Sequence, residues 1–356
     1  MAHSLLTTVI GSFPKPEYLP IEDWFDAARN EGAMNSERVT ENFTKYQENT
    51  KESDEQLFIK AAEEVISLQI NSGIDIPTDG EVRRENYVHY HCRYLSGFDF
   101  KNLERRVFRD GAYDSHLPAI RKKIEHTNVG YAAFDYISSQ KVSPVPIKFT
   151  LPGPLTIMDT TADCYYEDRP KLNRDLADTI NKEILRLVDA GCRYIQVDEP
   201  LFARQVDDAS SFGMEGIERC FHGVPKDVKK IMHMCCGYPD HLDDEDYKKA
   251  DPGSYHQLAR EVDDLNIDEV SIEDAHCQND LNLLEKFEKK SVIFGAVAIA
   301  SSRIETEDEI INRINSALNH IDRNRLVIAP DCGLGLLTPE LAVAKLSVMC
   351  SAVKKI

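Results

Sequence analysis

The chain has 356 residues, of which 42% are hydrophobic, and its 61 acidic and 42 basic residues give a formal net charge of -19. The acidic charge disfavours nucleic acid and anionic membranes as main partners. No apolar run approaches the roughly 18 residues of a membrane span, and no secretory signal is visible at the start. We therefore expect a cytoplasmic enzyme whose nine cysteines are reduced thiols.

Eight short β-rich segments recur along the chain, with helical patterns between most of them. In chain order, the segments are residues 5–13, 74–81, 144–156, 192–200, 229–237, 269–275, 291–300 and 325–335. Apolar residues at helical spacing predict helices over residues 54–73, 172–191, 254–266, 280–290, 306–321 and 338–353. The first two of these helices end at Gly73 and Gly191, and glycine is typical of a helix C-terminus.

Strands that alternate with helices of this length predict an α/β fold, a (β/α)8 TIM barrel. We expect residues 1–356 to form a single catalytic domain. The stretch of about residues 82–143 is too long for a loop and predicts an insertion after the second strand, over the barrel mouth. An open, doubly wound sheet is the alternative, but no glycine-rich phosphate-binding motif follows a strand.

Polar residues follow six of the eight predicted strands. In a parallel barrel the carboxyl ends of the strands meet at one mouth, where active sites lie. The residues at these ends are Ser12, Asp79, Glu81, Asp198, Glu199, His233, Cys235, Glu273 and Cys332. Their recurrence predicts one polar site at the barrel mouth.

Four of these residues predict a zinc site: His233, Cys235, Glu273 and Cys332. Residues i and i+2 of a strand point to the same face, so His233 and Cys235 can reach one ion. Thiolates and imidazole suit zinc. A lone His-x-Cys pair is more often two half-buried residues than a metal site. The support for a metal site comes from Glu273 and Cys332 at the ends of nearby strands.

Other histidines and cysteines allow alternatives. His276 and Cys277 follow Glu273 closely and are alternative ligands. Cys236 is predicted to face away from its neighbour and to pack as a small hydrophobic side chain. His89 and His91 lie among aromatic residues in the insertion, where either a packing role or a substrate-loop role fits.

Seven motifs, taken in order, resemble the C-terminal barrel of cobalamin-independent methionine synthase over nearly the whole chain. They are TTVIGSFPKP, TDGEVRRENYV, FTLPGPLT, YIQVDEP, HMCCG, VSIED and APDCGLG. The resemblance implies a (β/α)8 barrel with zinc on the four residues named above. It also implies a homocysteine pocket in which Ile10, Gly11 and Ser12 meet the carboxylate. Glu81 and Asp198 would meet the amino group and are the candidate catalytic residues.

The predicted function is that of a zinc-dependent homocysteine S-methyltransferase that forms methionine. A free thiol is mostly protonated at neutral pH, whereas a metal-coordinated thiol is deprotonated and nucleophilic. Small-molecule substrates are therefore expected: homocysteine and a methyl donor. The resemblance implies 5-methyltetrahydrofolate or its polyglutamate as that donor.

Two departures from the family concern the donor. The family's full-length enzymes carry an additional N-terminal barrel, which this chain is too short to contain. Ala298 and Ala300 stand where the family has an Asp and a His thought to protonate the folate nitrogen. A tertiary amine is a poor leaving group without protonation. Either His89 or His91 supplies the acid, or the donor is a methyl-carrying partner such as a methylcorrinoid protein.

Three other functions compete with this prediction. A related zinc alkyltransferase would act on another thiol such as coenzyme M, although Glu81 and Asp198 suit an ammonium group and would repel a sulfonate. A structural zinc protein would use a closed shell of ligands from short loops. A decarboxylase-like relative on the same barrel would need no zinc.

Overall fold

The protein is built around parallel strands, and its computed structural model describes residues 4–31, 36–108, 113–244, 249–251 and 253–356. The strands are β1 Leu6–Thr7, β2 Leu95–Phe108, β3 Tyr113–His126, β4 Lys148–Pro152, β5 Ala162–Asp163, β6 Tyr194–Asp198, β7 Lys229–His233, β8 Glu269–Ile272, β9 Ser291–Val297 and β10 Leu326–Pro330. The helices are α1 Trp24–Glu31, α2 Ser36–Glu48, α3 Glu52–Ser72, α4 His89–Cys92, α5 Tyr131–Gln140, α6 Pro154–Asp159, α7 Arg169–Asp189, α8 Val206–Asp208, α9 Met214–Cys220, α10 Gly253–Asp264, α11 Glu307–Ala317 and α12 Pro339–Val353.

Seven of these strands form one parallel sheet in the order β1-β10-β9-β8-β7-β6-β4. Residues 76–78 occupy an eighth position between the two outer strands. Ile76 makes a parallel bridge to Thr8 of the β1 segment, and Thr78 makes one to Lys148 of β4. These bridges close the sheet, so the predicted (β/α)8 barrel is confirmed.

Five of the six predicted helices are present, as α3, α7, α10, α11 and α12. Residues 280–290, predicted as a helix of the usual kind, form a short 3-10 helix over Leu281–Lys286. Asp280 caps it by accepting from the backbone N–H of Asn282. The segment between β6 and β7 contains α8 and α9, joined by a π-helical turn over Ala209–Gly213, which the sequence pattern did not indicate.

The insertion after the second strand position is a long hairpin between two helices. α4 leads into β2, which pairs antiparallel with β3, and α5 follows. β3 also pairs in parallel with the short strand β5. The predicted insertion after the second strand is therefore confirmed, and its bounds of about residues 82–143 stay a prediction.

The barrel strands are buried because helices cover the outer face and side chains fill the interior. All five residues of β4 and all five of β10 are buried, as expected for parallel strands covered on both sides. A small apolar cluster fills the barrel centre with Ile10, Ile231, Ile293, Val327 and Ala329. A larger apolar cluster contains buried residues from along the chain, between Leu5 and Val353. The assignment of the chain to a single domain stays a prediction. Among the described helices, none has the length and apolar character that a membrane span requires.

Candidate active site

Three of the four predicted ligands meet at the mouth of the barrel. β7 ends at His233, Cys235 lies two residues further on, and Cys332 lies two residues beyond the end of β10. The candidate ligand atoms of His233, Cys235 and Cys332 all lie within 4.8 Å of one another. Nε2 of His233 is 3.4 Å from Sγ of Cys332. One imidazole and two thiols at this spacing form a donor set for a thiophilic metal ion.

The ring of His233 is held from behind by the neighbouring strand. His233 and Ser271 are paired residues of β7 and β8, and Nδ1 of the ring lies 3.0 Å from the Ser271 hydroxyl oxygen. This contact directs Nε2 toward the two cysteines, as outer partners of metal-binding histidines commonly do. Burial alone would lower the pKa of His233. The hydrogen bond with Cys235 and the negative charges of Cys235 and Asp198 have the opposite effect and are stronger together, so the pKa of His233 is raised.

Cys332 suppresses the ionisation of Cys235. The hydrogen bond with Cys332, burial and the charge of Cys332 raise the pKa of Cys235 well above its ordinary value. Two thiolates this close together repel, and a cation bound between them would offset the repulsion. The two thiols therefore suit a cation that favours sulfur.

Glu273, the fourth predicted ligand, lies outside this group of three. It is buried, but its Oε1 is 2.7 Å from Nζ of Lys249, and its Oε2 accepts from the backbone N–H of Cys236 at 3.2 Å. The sequence pattern located Glu273 at the correct strand end but gave no sign of the lysine, which comes from a loop. The structure thus brings together three of the four residues and pairs the fourth with a cation.

The alternative ligands have other contacts. His276 does not join the cluster, because its Nε2 accepts from the backbone N–H of Ala300 at 2.8 Å. Cys277 is also absent from the group of metal-ligating side chains found among the described residues. Cys236 is a buried side chain, in agreement with its predicted packing role.

One cavity of about 210 Å³ contains the cysteine and histidine cluster and the predicted substrate residues together. Its described lining includes all of the predicted substrate-binding residues: Ile10, Gly11, Ser12, Glu81 and Asp198. His233, Cys235 and Cys332 line the same cavity. The barrel therefore places a cluster of one imidazole and two thiols, which could hold a metal ion, beside two carboxylates.

Glu81 is held in an unusual backbone conformation by its neighbours. It has a φ of 59°, in the left-handed region that few residues other than glycine adopt. Its backbone N–H donates to Oδ1 of Asp79 at 2.9 Å. Its Oε1 accepts from the Thr150 hydroxyl at 2.7 Å and from Nη1 of Arg84 at 3.0 Å. Both contacts are made to one oxygen of a side chain that also lines the cavity.

The turn after β1 passes close to this carboxylate. A Cβ added at Gly11 would lie 2.6 Å from Oε1 of Glu81, closer than real contacts allow. The Ser12 hydroxyl accepts from the backbone N–H of Gly335 at 3.3 Å, and its carbonyl accepts from Leu334 at 2.7 Å. The loop after β10 therefore fixes the turn, and glycine is needed for the close approach.

Asp198 ends β6 and is the register partner of His233 on β7. Burial raises the pKa of Asp198 to about 6, and the positive charge of His233 opposes this. The next residue, Glu199, faces away from the site. Its carboxylate accepts from the backbone N–H groups of Leu155 and Thr156 at the start of α6. Of the two acidic residues that end this strand, Asp198 alone is among the described residues of the cavity lining.

Sequence reasoning missed several parts of the cavity wall. Trp24, Phe25, Tyr87 and Tyr238 form an aromatic wall, with neighbouring ring centroids 5.3 to 5.5 Å apart. Arg204 also lines the cavity. These residues lie in loops and helices with no strand-end signal, so the sequence pattern could not assign them to the site.

His89 and His91 of the insertion are packing residues. His89 and His91 lie on helix α4, not on an extended segment. His89 is buried between the carbonyl of Thr160 and the hydroxyl of Thr40. His91 is buried against the Tyr131 hydroxyl at 2.9 Å. Neither is among the described residues of the cavity lining, so the expectation that one of them acts as an acid finds no support in the geometry.

Two known proteins have sequences similar to this chain over nearly its full length. A methionine synthase of Saccharolobus islandicus is 30% identical over 352 residues, which cover 98% of this chain and 94% of the relative. A methionine synthase of Pyrococcus abyssi is 30% identical over 351 residues, covering 98% of this chain and 92% of the relative.

A solved structure has the same fold over nearly its whole length. It is a B12-independent methionine synthase from a Shewanella species in complex with selenomethionine. The match has a TM-score of 0.82 and 26% identity, and covers 99% of this chain and 98% of that chain. The family model described as the catalytic domain of cobalamin-independent synthase matches residues 5–355. These matches confirm the predicted resemblance and the predicted enzyme class, a methyltransferase. The chain belongs to the cobalamin-independent synthase family, as a match to its catalytic domain.

Proposed function

We propose that the protein is a zinc-dependent homocysteine S-methyltransferase that forms methionine. The observation that carries this proposal is the shared cavity, which combines a His-Cys-Cys cluster with two carboxylates. The methionine synthases of Saccharolobus and Pyrococcus support the reaction. The selenomethionine bound to the Shewanella enzyme supports a pocket for an amino acid of this length.

Zinc fits the residues that are present. His233, Cys235 and Cys332 would hold it, because one imidazole and two thiols within 4.8 Å match its ligand preference. Zinc bound there would lower the pKa of a substrate thiol and keep that thiol nucleophilic at neutral pH. We keep Glu273 as the fourth proposed ligand, which would require its carboxylate to leave Lys249.

The chain's own residues bind and orient the amino-acid end of homocysteine. Glu81 and Asp198 would accept hydrogen bonds from the ammonium group, and their two negative charges disfavour a sulfonate thiol such as coenzyme M. The turn of Ile10, Gly11 and Ser12 would receive the carboxylate. Fixing both groups of the amino acid aims its sulfur at one point and reduces the entropic cost of reaction. Glu81 and Asp198 are in this sense the proposed catalytic residues.

The proposed methyl donor is 5-methyltetrahydrofolate or its polyglutamate. The aromatic wall of Trp24, Phe25, Tyr87 and Tyr238 offers flat surfaces to a planar heteroaromatic ring. Ala298 and Ala300 supply no acid for the leaving nitrogen, so a methylcorrinoid partner protein is the alternative donor. With either donor, homocysteine remains the proposed methyl acceptor. The cytoplasmic location stays a prediction.

A methyl-transfer assay on the zinc-loaded protein tests the proposal. Homocysteine is combined in parallel with methyltetrahydrofolate, its polyglutamate and a methylcorrinoid protein, and methionine is measured. Coenzyme M replaces homocysteine as the thiol control. We expect methionine from one of the donors and no product with coenzyme M. Methylation of coenzyme M alone would overturn the choice of substrate.

X-ray absorption at the zinc edge tests the acceptor side without a donor. We expect two sulfur ligands in the free enzyme, from Cys235 and Cys332, and three after homocysteine is added. An unchanged sulfur count would contradict thiol activation by zinc. The oxygen and nitrogen shell of a Glu273→Gln variant, compared with wild type, decides whether Glu273 is a ligand.

A further inference from the structure

Two polar side chains lie inside the barrel, in strands that are otherwise mostly apolar. Lys148 begins β4 and Gln196 is the middle residue of β6, and both are fully buried. Because residues i and i+2 of a strand share a face, Gln196 points to the same side as Asp198. Buried polar groups are costly unless they are hydrogen-bonded, so the partners of these two side chains are informative.

The side-chain amide of Gln196 makes three hydrogen bonds, all to groups inside the barrel. Its Oε1 accepts from Nζ of Lys148 at 2.5 Å. Its Nε2 donates to the carbonyl oxygen of Ile10 at 2.7 Å and to Oδ1 of Asp198 at 2.7 Å. Lysine only donates, whereas a carbonyl and a carboxylate only accept, so these partners fix the amide in one orientation.

The two acceptors belong to opposite ends of the proposed amino-acid pocket. Ile10 begins the turn that would receive the carboxylate, and Asp198 would receive the ammonium group. The bond from Gln196 is made to Oδ1 of Asp198, whose side chain lines the cavity. One amide therefore links the two ends of the pocket and sets the distance between them.

We propose that Gln196 is a positioning residue that fixes both ends of the amino-acid pocket, and that Lys148 fixes Gln196. This inference rests on the proposed function, because it assigns the two ends to the carboxylate and ammonium groups of homocysteine. Neither residue lines the cavity among the described positions, so both act through Ile10 and Asp198.

Gln196→Glu is the variant that tests the idea. It keeps the size of the side chain and keeps an acceptor for Lys148, but it removes both N–H donors. A carboxylate at this position would face Asp198 and the carbonyl of Ile10, and all three groups repel one another. Both ends of the pocket should move while the cysteine cluster stays intact.

The measurement is calorimetric binding to the zinc-loaded protein of three thiols that differ in their polar groups. Homocysteine carries both groups, 4-mercaptobutanoate lacks the amino group, and 1-propanethiol lacks both. We expect Gln196→Glu to lose about 10- to 100-fold in affinity for homocysteine, as is typical when hydrogen bonds to charged groups are lost. The affinity for 4-mercaptobutanoate should fall less, and that for 1-propanethiol should stay within about twofold.

Lys148→Met is the second variant, and it also serves if Gln196→Glu does not fold. It leaves the amide free to rotate, so we expect homocysteine affinity to fall about 3- to 10-fold with 1-propanethiol unchanged. Lys230→Met is the matched control. Lys230 is a buried lysine on β7 whose Nζ donates to an amide oxygen, that of Asn266, at 2.7 Å. Lys230 is absent from the described cavity lining. Its loss should leave the preference for homocysteine over 1-propanethiol unchanged.

The outcomes separate the two proposals. If wild-type protein binds homocysteine no better than 1-propanethiol, the proposed function fails. If wild type prefers homocysteine and the folded variants at Gln196 and Lys148 keep that preference, the positioning role alone is overturned. An equal loss for all three thiols would show a general structural effect and would also overturn it.

Discussion

The backbone N–H of Ala300 donates a 2.8 Å hydrogen bond to Nε2 of His276. Because Nε2 accepts this bond, it carries no proton in the neutral ring. Burial lowers the pKa of His276 to about 4, with the charges of Lys249 and Lys345 acting in the same direction. The imidazole that stands against residue 300 is therefore a poor proton donor at neutral pH.

We predict that His276→Gln keeps methyl-transfer activity within about threefold at pH 7 with the true donor. The reason is that neutral His276 has no proton on the nitrogen that faces Ala300. The pH dependence of kcat/KM between pH 6 and 8 should match that of the wild type. A loss of more than about 100-fold with full zinc content would identify His276 as an acid after all.

The adjacent cysteines Cys235 and Cys236 should differ sharply in metal binding. We predict that Cys235→Ala weakens zinc binding by more than the roughly 10- to 100-fold that loss of an outer-shell partner costs. Cys236→Ala is the matched control and should retain about one zinc per chain. Metal analysis after competition with a chelator measures both. Equal retention by the two variants would remove Cys235 from the proposed site.

Glu81→Gln should raise the KM for homocysteine about 10- to 100-fold, because a hydrogen bond to a charged group contributes about 1.5–3 kcal/mol. Thr150 and Arg84 still anchor the side chain, so zinc content should not change. Steady-state kinetics with varied homocysteine measure the effect. Glu17→Gln, at an exposed position, is the control. An unchanged KM with a reduced kcat would contradict binding of the amino group by Glu81.

His89 should make stability depend on pH. Burial lowers its pKa to about 4 in the folded protein, against about 6.5 in an unfolded chain. Its contribution is therefore fully present above pH 6.5 and is lost as the pH falls toward 4, since the unfolded chain then binds more protons. The shift corresponds to a contribution on the order of 3 kcal/mol.

Urea unfolding of wild type and His89→Gln tests this dependence. The difference between their unfolding free energies should shrink by roughly 2 kcal/mol between pH 7.5 and pH 5. A difference that does not vary with pH would show that His89 titrates alike in both states.

The barrel could be predicted from the sequence because its signals are local. Apolar runs of strand length and helices that end at Gly73 and Gly191 follow from rules of periodicity and capping. Polar residues after six of the eight predicted strands are visible in the same way. The spacing of His233 and Cys235 likewise predicts that both side chains point the same way, although β7 itself ends at His233. Parallel strands of a barrel end at a common mouth, so this local pattern was enough to group Glu81, Asp198 and Cys332 with them.

The contacts of each side chain could not be predicted in this way. Glu273 lies at the expected strand end, yet a loop lysine, Lys249, binds its carboxylate. Gln196 and Lys148 had a signal, since each is a polar residue in a mostly apolar strand. Ile10, which accepts a hydrogen bond from Gln196, is 186 residues away from it along the chain. Sequence by itself determined the fold and the strand ends that carry the site. Only the closed barrel decided which side chains touch, because those contacts join strands that are distant in sequence.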